Sequence, residues 1–149
     1  MRAIRHILSW LLSFFLIFIL LHWTIHPLPE RPEGFVIFFD PPGANVIFAR
    51  IAEQSGMAFF EPLGRKIFGG VELLAAFLLL MPPLRRIGAG IACACFIILI
   101  GLHLSPWLGM EIGLPGENGG TDSGSTFYLT VACLTAGLLL MNIHPGRRR

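Results

Sequence analysis

The sequence predicts an all-α integral membrane protein, a four-helix bundle with an interfacial amphipathic helix in its first outer connector. Three observations support this fold class: a mean hydropathy of +0.72 over 149 residues, four long apolar stretches, and charges sorted onto alternate connectors. About 20 apolar residues cross a hydrocarbon core about 30 Å thick, and helices that are apolar on every side are typical of membranes. We therefore expect one transmembrane domain, 1–149, with spans at about 7–25, 63–81, 87–104 and 127–143.

The charges predict the orientation of these spans. Most basic residues lie in the N-terminus, the connector between the second and third spans, and the C-terminus: Arg2, Arg5, Arg85, Arg86, Arg147, Arg148 and Arg149. The acidic residues other than Glu72 lie in the two remaining connectors. Under the positive-inside rule, both termini are cytoplasmic and the acidic connectors are outside. The C-terminal arginines are explained by the anionic inner leaflet of the lipid bilayer, and no nucleic-acid partner is expected.

The first span is expected to stay in the mature protein. Arg2 and Arg5 precede an apolar run, as in a signal peptide, but the run ends at His22–Pro27 without a small-x-small cleavage site. The second span is the least apolar. It crosses the bilayer only if Arg65 and Lys66 extend their long side chains to the outer surface.

The first outer connector is too long for a simple turn. Asp40-Pro41-Pro42 has the composition of a helix N-cap followed by proline in the first turn. After it, Ile47, Phe48 and Ile51 share one side of a helix, and Arg50 and Glu53 lie on the other. An amphipathic helix that ends near Gly56 is the expected structure.

The remaining connectors are predicted from proline and glycine. Pro82-Pro83 ends the second span, and Leu84-Arg85-Arg86 makes a tight turn into the third. The last connector, residues 105–126, is rich in glycine and is expected to be a mobile outer loop. Ser125 or Thr126 is the expected cap of the fourth span.

The second and third spans resemble a known family. The stretch from Phe68 through Glu72 to Met81, the Pro-Pro-Leu-Arg-Arg turn, the following Gly88-Ala89-Gly90 and the terminal His103 are similar to the DoxX-like family of four-span bacterial membrane proteins. This resemblance implies a four-helix bundle in a bacterial inner membrane. Some relatives are accessory subunits associated with thiol or sulfur oxidation and quinone reduction. The family supplies no agreed catalytic residue, so only Glu72 and His103 are carried over as matching positions.

Glu72 is the one acidic residue inside a predicted span. A helical wheel places Arg65, Gly69, Ala75 and Ala76 on its side, and small residues let helices approach closely, so this side is expected to face the interior. A lone carboxylate in hydrocarbon costs several kcal/mol unless it is paired or protonated. Glu72 is therefore either a proton or substrate site, or a polar contact that fixes helix packing.

Three histidines are expected at the same depth as Glu72, in the outer half of the bundle. His22 and His26 lie one helical turn apart near the outer end of the first span, and His103 lies near the outer end of the third. Together with Glu72 and Arg65 they form a candidate polar pocket. Three imidazoles and a carboxylate suit zinc, copper or iron. The alternative is ordinary interfacial histidines beside Trp23.

The cysteines lie within predicted spans. From a rise of 1.5 Å per residue, Cys95 and Cys133 lie about 12 Å and about 15 Å from the inner ends of their helices. A redox pair at a shared level is one interpretation. Buried cysteine that acts as a small apolar residue is the other, and it applies to Cys93 as well.

These observations favour an accessory or scaffold subunit without a catalytic site of its own. The expected partner is a membrane or periplasmic protein, or a second copy of the chain. One alternative is a redox subunit that binds quinone in a Glu72/His103 pocket. Another is a small-solute carrier.

Overall fold

The computed structural model describes residues 2–25, 34–114 and 120–143. Within them the chain is helical, with five α-helices: α1 (Arg2–Thr24), α2 (Val46–Ser55), α3 (Leu63–Leu80), α4 (Arg85–Leu104) and α5 (Ser125–Ile143). A 3₁₀ turn, Ala58–Phe60, precedes α3. The all-α prediction is confirmed for this part of the chain, where extended pairing is confined to an isolated bridge between Gly113 and Thr121.

Three helices of the described residues are long and apolar enough to cross a membrane: Ala3–Thr24, Arg85–Leu104 and Ser125–Ile143. They support the prediction of a membrane protein. Helix α3 differs from them in composition, because Arg65, Lys66 and Glu72 all lie within its 18 residues.

The four long helices pack in a closed order. Helix α1 contacts α3 and α5, and α4 contacts the same two helices from the other side. The predicted interior face of α3 is confirmed, since Gly69, Glu72, Ala75, Ala76 and Leu79 are buried. The opposite face of α3 is exposed. The apolar side chains at the centre come from all four helices, and include Leu16, Leu20, Ala75, Phe96, Cys133 and Leu140.

Glycines set the closest helix contacts. A Cβ atom on Gly88 of α4 would lie 2.8 Å from the backbone nitrogen of Leu79 on α3. On the other side of α4, a Cβ atom on Gly137 of α5 would lie 2.5 Å from the Cys93 sulfur. These contacts explain the small residues at the start of α4, because larger side chains would separate the helices.

The two long connectors fold together at one end of the helices, into what we call the cap (residues 34–60, 105–114 and 120–124). Its apolar centre is formed by Ile51 of α2 with Leu108 and Ile112 of the last connector, all three 0 % exposed. The expected mobile outer loop is therefore wrong for the described part of that connector. The glycine content suggested mobility, whereas Leu108 and Ile112 supply a buried apolar anchor.

Helix α2 is amphipathic as predicted, but it begins later. Its N-cap is Asn45, whose side-chain oxygen accepts a hydrogen bond from the backbone N–H of Phe48 at 3.2 Å. Asp40 is not the cap: its carboxylate accepts from the backbone N–H groups of Gly34 and Val36 instead. Gly56 ends the helix in the left-handed conformation (φ 71°), as predicted.

The cap of α5 also differs from the prediction. Asp122, not Ser125 or Thr126, receives the hydrogen bonds at this helix start. Its carboxylate accepts from the backbone N–H of Thr126 at 3.0 Å and from that of Ile112 at 2.8 Å. The same side chain thus starts α5 and holds the last connector.

Three arginines hold the opposite end, which we call the arginine end. Arg85 donates to the carbonyl of Leu79 at 3.0 Å, Arg86 to that of Met141 at 3.0 Å, and Arg5 to that of Ile143 at 3.1 Å. These carbonyls lie in the last turns of α3 and α5. Such groups have no partner within their own helix and carry partial negative charge, which a guanidinium neutralises.

Candidate functional site

A small cavity lies where all four long helices meet the cap. Its lining includes Trp23 of α1, Glu72 of α3, His103 of α4, Thr126 of α5 and Asn45 of the cap. The cavity has a volume of about 30 Å³. A site of this size and polarity has room for roughly one or two water molecules.

Glu72 is the charged member of this cavity. Its side chain is on the interior face of α3 and is 0 % exposed. Small residues lie on the same face of α3: Ala75 packs against Gly88 of α4, and Gly69 lets Ile37 and Phe38 of the cap approach. A carboxyl group in this position can bind a proton or accept a hydrogen bond from a ligand.

His103 is fixed by the last connector. Its Nδ1 lies 2.8 Å from the carbonyl oxygen of Gly109, and the imidazole is 2 % exposed. Because a carbonyl only accepts hydrogen bonds, Nδ1 must carry the proton and donate it. The neutral ring then has Nε2 as its acceptor. Gly109 reaches this position in a turn with φ +82°, which favours glycine.

The ring of His103 also touches α5. It packs edge-on against Phe127, with ring centroids 5.7 Å apart. This contact and the Gly109 hydrogen bond hold the imidazole from two sides. His103 is therefore a positioned acceptor at the cap end of α4.

Arg65 does not belong to the cavity. Its guanidinium is 0 % exposed and forms an ion pair with Glu61, with Nε and Oε2 2.7 Å apart. It also donates to the carbonyl oxygens of Ile37 and Asp40 in the first connector. Arg65 was predicted as a member of the pocket with Glu72, but the structure places its guanidinium against Glu61 and the connector carbonyls.

His22, the described histidine of the first span, is not brought into the cavity. Its ring stacks on Phe18, with centroids 5.9 Å apart. His26 lies outside the described residues. Among the residues that the structure describes, no group of three or more His, Cys, Asp or Glu side chains could hold a metal ion.

The cysteines are buried free thiols. Cys133 belongs to the central apolar cluster, and Cys93 packs against α5 beside Gly137. The redox interpretation of Cys95 and Cys133 stays a prediction. Cys95 has a second feature, since it lines a groove described next.

An apolar groove lies beside the cavity, between α3 and α4. Its volume is about 330 Å³, and its lining includes Phe59, Ile67, Cys95 and Ile98. Two side chains, Phe48 and Phe68, line both the groove and the cavity, and their ring centroids are 5.8 Å apart. These two aromatic rings thus separate the apolar groove from a smaller cavity that contains Glu72 and His103.

Asn45 and Phe48 are cavity residues that the sequence did not identify as such. Asn45 donates to the Asp40 carboxylate at 2.8 Å and accepts from Phe48, so its amide is fixed. The signal was available at Asn45, because asparagine before an apolar helical run is a preferred N-cap. Its approach to Glu72 is a long-range contact that no local pattern reveals.

Comparisons of this chain with protein-family models, with curated proteins and with solved structures give no match. The DoxX-like resemblance of Glu72, His103 and their surroundings therefore stays a sequence-based prediction.

Proposed function

We propose that this chain is a four-span protein of a bacterial inner membrane, similar to the DoxX-like family, and that it serves as an accessory or scaffold subunit of a membrane complex. Both termini lie in the cytoplasm, and the cap lies outside. In this arrangement α3 is the fourth span. Its charges are compatible with a membrane because Arg65 is neutralised by Glu61 at the cap end, while Glu72 faces the interior.

The observation that carries the proposal is the folded cap. It has its own apolar centre, it is held by Arg65 of α3 and by its own Asp122, and it therefore presents a defined surface outside the bilayer. Large apolar side chains remain exposed on it, among them Phe39 at 72 % and Met110 at 44 %. A surface of this kind is what a membrane or periplasmic partner requires.

The test is site-specific photocrosslinking in intact cells. A benzophenone amino acid replaces Phe39 of the cap in one variant, and Phe77 of α3 in the control. Phe77 is 58 % exposed on the outer face of a proposed span, within its last two turns, so it should contact lipid. We expect a discrete protein adduct from position 39 and none from position 77. Lipid adducts alone from both positions would contradict a partner on the cap.

A second copy of this chain is one partner that the experiment identifies. An adduct of twice the monomer mass that contains only this sequence indicates a homo-oligomer. An adduct with another protein indicates a heteromeric complex. Both results support the scaffold proposal.

A second candidate function is a quinone-linked redox subunit. The observation that favours it is that Glu72 and His103, the two positions carried over from the family resemblance, line one cavity. Quinone that co-purifies with the wild-type chain and is lost from the Glu72→Gln variant would support this function. A Lys66→Gln variant is the matched control, because Lys66 is an exposed residue of the same helix. Equal quinone content in all three proteins would contradict it.

A further inference from the structure

We propose that the apolar groove and the Glu72/His103 cavity together form a binding site for a membrane-borne amphiphile with a single hydroxyl group as its head. The tail would lie in the groove and the hydroxyl would enter the cavity. The inference rests on the proposed membrane placement of α3 and α4. It involves no electron transfer and does not depend on the redox candidate.

The groove is suited to an apolar tail. Its volume of about 330 Å³ lies within the roughly 300–1,000 Å³ typical of ligand sites. Its walls come from α3, α4 and the cap, and Ile67 and Ile98 at its edge are 52 % and 53 % exposed. In a bilayer such an opening faces hydrocarbon, so the tail would enter sideways from the membrane.

The absence of a side chain at Gly64 shapes the upper end of the groove. A Cβ atom there would lie 3.0 Å from the Phe59 carbonyl oxygen and 3.2 Å from its ring. The Phe59 ring therefore lies close to the start of α3, where it lines the groove and is 56 % exposed.

The groove and the cavity are separated by side chains. Phe48 and Phe68 line both spaces, and their rings are tilted by 56° relative to each other. Glu72 follows Phe68 by one helical turn, so the two side chains are neighbours on the surface of α3. Binding of the amphiphile requires the Phe48 and Phe68 rings to move apart, so that the two spaces become one.

The cavity selects the head group by size and by hydrogen bonding. A volume of about 30 Å³ accommodates a hydroxyl in place of a water molecule, but not a phosphate or a sugar. The Nδ1–H group of His103 already donates to Gly109, which makes Nε2 an acceptor. The head group that matches this acceptor is therefore a hydrogen-bond donor. A hydroxyl on an alkyl or alkylphenyl chain fits, and an ether of the same size does not.

The test measures binding of 4-nonylphenol to the full chain in phosphatidylcholine nanodiscs, with 4-nonylanisole as the ligand that lacks the donor. Trp23 lines the cavity and reports binding by fluorescence once Trp10 and Trp107 are replaced by phenylalanine. Empty nanodiscs give the background from partition into lipid. We expect the phenol to quench the Trp23 fluorescence in a saturable way. The affinity for the anisole should be about tenfold weaker, because the loss of a hydrogen bond worth about 1.4 kcal/mol reduces the binding constant by a factor of ten.

Two variants separate the tail site from the head site. Ala94→Phe fills the groove and should weaken phenol binding about tenfold, by the same conversion. Ala132→Phe is the matched control, since Ala132 is exposed on α5 away from the groove, and it should bind like the wild type. His103→Asn keeps an amide donor for Gly109 but lacks Nε2, so its preference for the phenol over the anisole should be smaller than that of the wild type.

The outcomes are distinguishable. If the wild type binds both ligands equally, or if Ala94→Phe has no effect, the amphiphile site is wrong while the membrane scaffold is unaffected. If the chain stays in solution without nanodiscs or detergent, the membrane placement fails, and this inference fails with it.

Discussion

Two fully buried arginines, one at each end of α3, are neutralised in different ways. Arg65 at the cap end pairs with the Glu61 carboxylate through two hydrogen bonds of 2.7 Å and 2.8 Å. Arg85, which follows α3 at the arginine end, donates to the Leu79 carbonyl and to the Ser9 hydroxyl. Its guanidinium carbon lies 3.8 Å from the centre of the Trp10 ring. Among the residues that the structure describes, Arg65 thus meets a full negative charge, whereas Arg85 meets dipoles and the face of an aromatic ring.

The difference follows from the distribution of carboxylates. Apart from Glu72, the acidic residues that the structure describes lie in the cap or beside it. An arginine at the other end must therefore use helix C-terminal carbonyls, hydroxyls and aromatic rings. The same charge sorting that predicts membrane orientation thus also determines how each end is packed. Arg65 joins a connector to a helix, whereas Arg85 joins α1, α3 and α4.

The largest predicted effect is at Arg65. Arg65→Met leaves Glu61 and the connector carbonyls without their donor. Removing one partner of a buried ion pair costs about 3–5 kcal/mol. We expect that loss in the free energy of unfolding, measured by titration with sodium dodecyl sulfate in mixed micelles. Lys66→Met, on the exposed side of the same turn, should change stability by less than about 0.5 kcal/mol. Equal stability of the two variants would contradict the role of Arg65.

A smaller loss is expected at Arg85. Arg85→Met removes hydrogen bonds to neutral groups and the Trp10 contact, and leaves no orphaned carboxylate. Such contacts are worth about 2 kcal/mol together. In the same titration Arg85→Met should fall between wild type and Arg65→Met. Arg86→Met loses one exposed hydrogen bond to the Met141 carbonyl and should lose less than about 1 kcal/mol. If Arg85→Met were as unstable as Arg65→Met, the distinction between the two ends would be wrong.

The smallest effect, at Asp122, depends on pH. Partial burial alone would raise the pKa of this carboxyl, but hydrogen bonds from the Ile112, Thr126 and Gly124 amides and the Thr126 side chain outweigh it and lower the pKa. The unfolded-state pKa of aspartate is about 3.9. The carboxylate therefore stabilises the fold fully above about pH 5, and this contribution is lost as the pH falls through the lower folded-state pKa.

Asp122→Asn tests this dependence. At pH 7 the variant should lose about 1 kcal/mol, because hydrogen bonds to a charged carboxylate are stronger than those to a neutral amide. The measurement is the free energy of unfolding from pH 7 to pH 2.5. The difference between variant and wild type should shrink as the pH approaches the lower limit. A difference that is constant over the whole range would show that the Asp122 charge does not stabilise the cap.

The helices were predictable because their signals are local. Apolar runs, prolines and the small residues beside Glu72 define α1, α3, α4 and α5 to within a few residues, except that α1 begins before the expected span. The cap was only partly predictable. Its order depends on Leu108 and Ile112 meeting Ile51, more than 50 residues away. No window of sequence contains both sides of that contact.

The candidate site shows the same limit. Helix periodicity and depth predicted that Glu72 and His103 lie together, and both line one cavity. The same reasoning assigned Arg65 to them, although Glu61 is a nearer partner on the adjoining turn. Depth alone also grouped His22 with the pocket. Depth along the helix does not specify the direction in which a side chain points around α1. In the structure the His22 ring points toward Phe18 and stacks on it.

The central claim, that α3 is a fourth span joining an outer cap to a cytoplasmic arginine end, has a direct test. Single cysteines replace Met57, before α3, and Pro83, after it, in a chain whose native cysteines are alanine. A maleimide that cannot cross lipid is then applied to intact spheroplasts and to inverted membrane vesicles. The account predicts labelling of position 57 only in spheroplasts and of position 83 only in inverted vesicles. Labelling of both positions from the same side would contradict it.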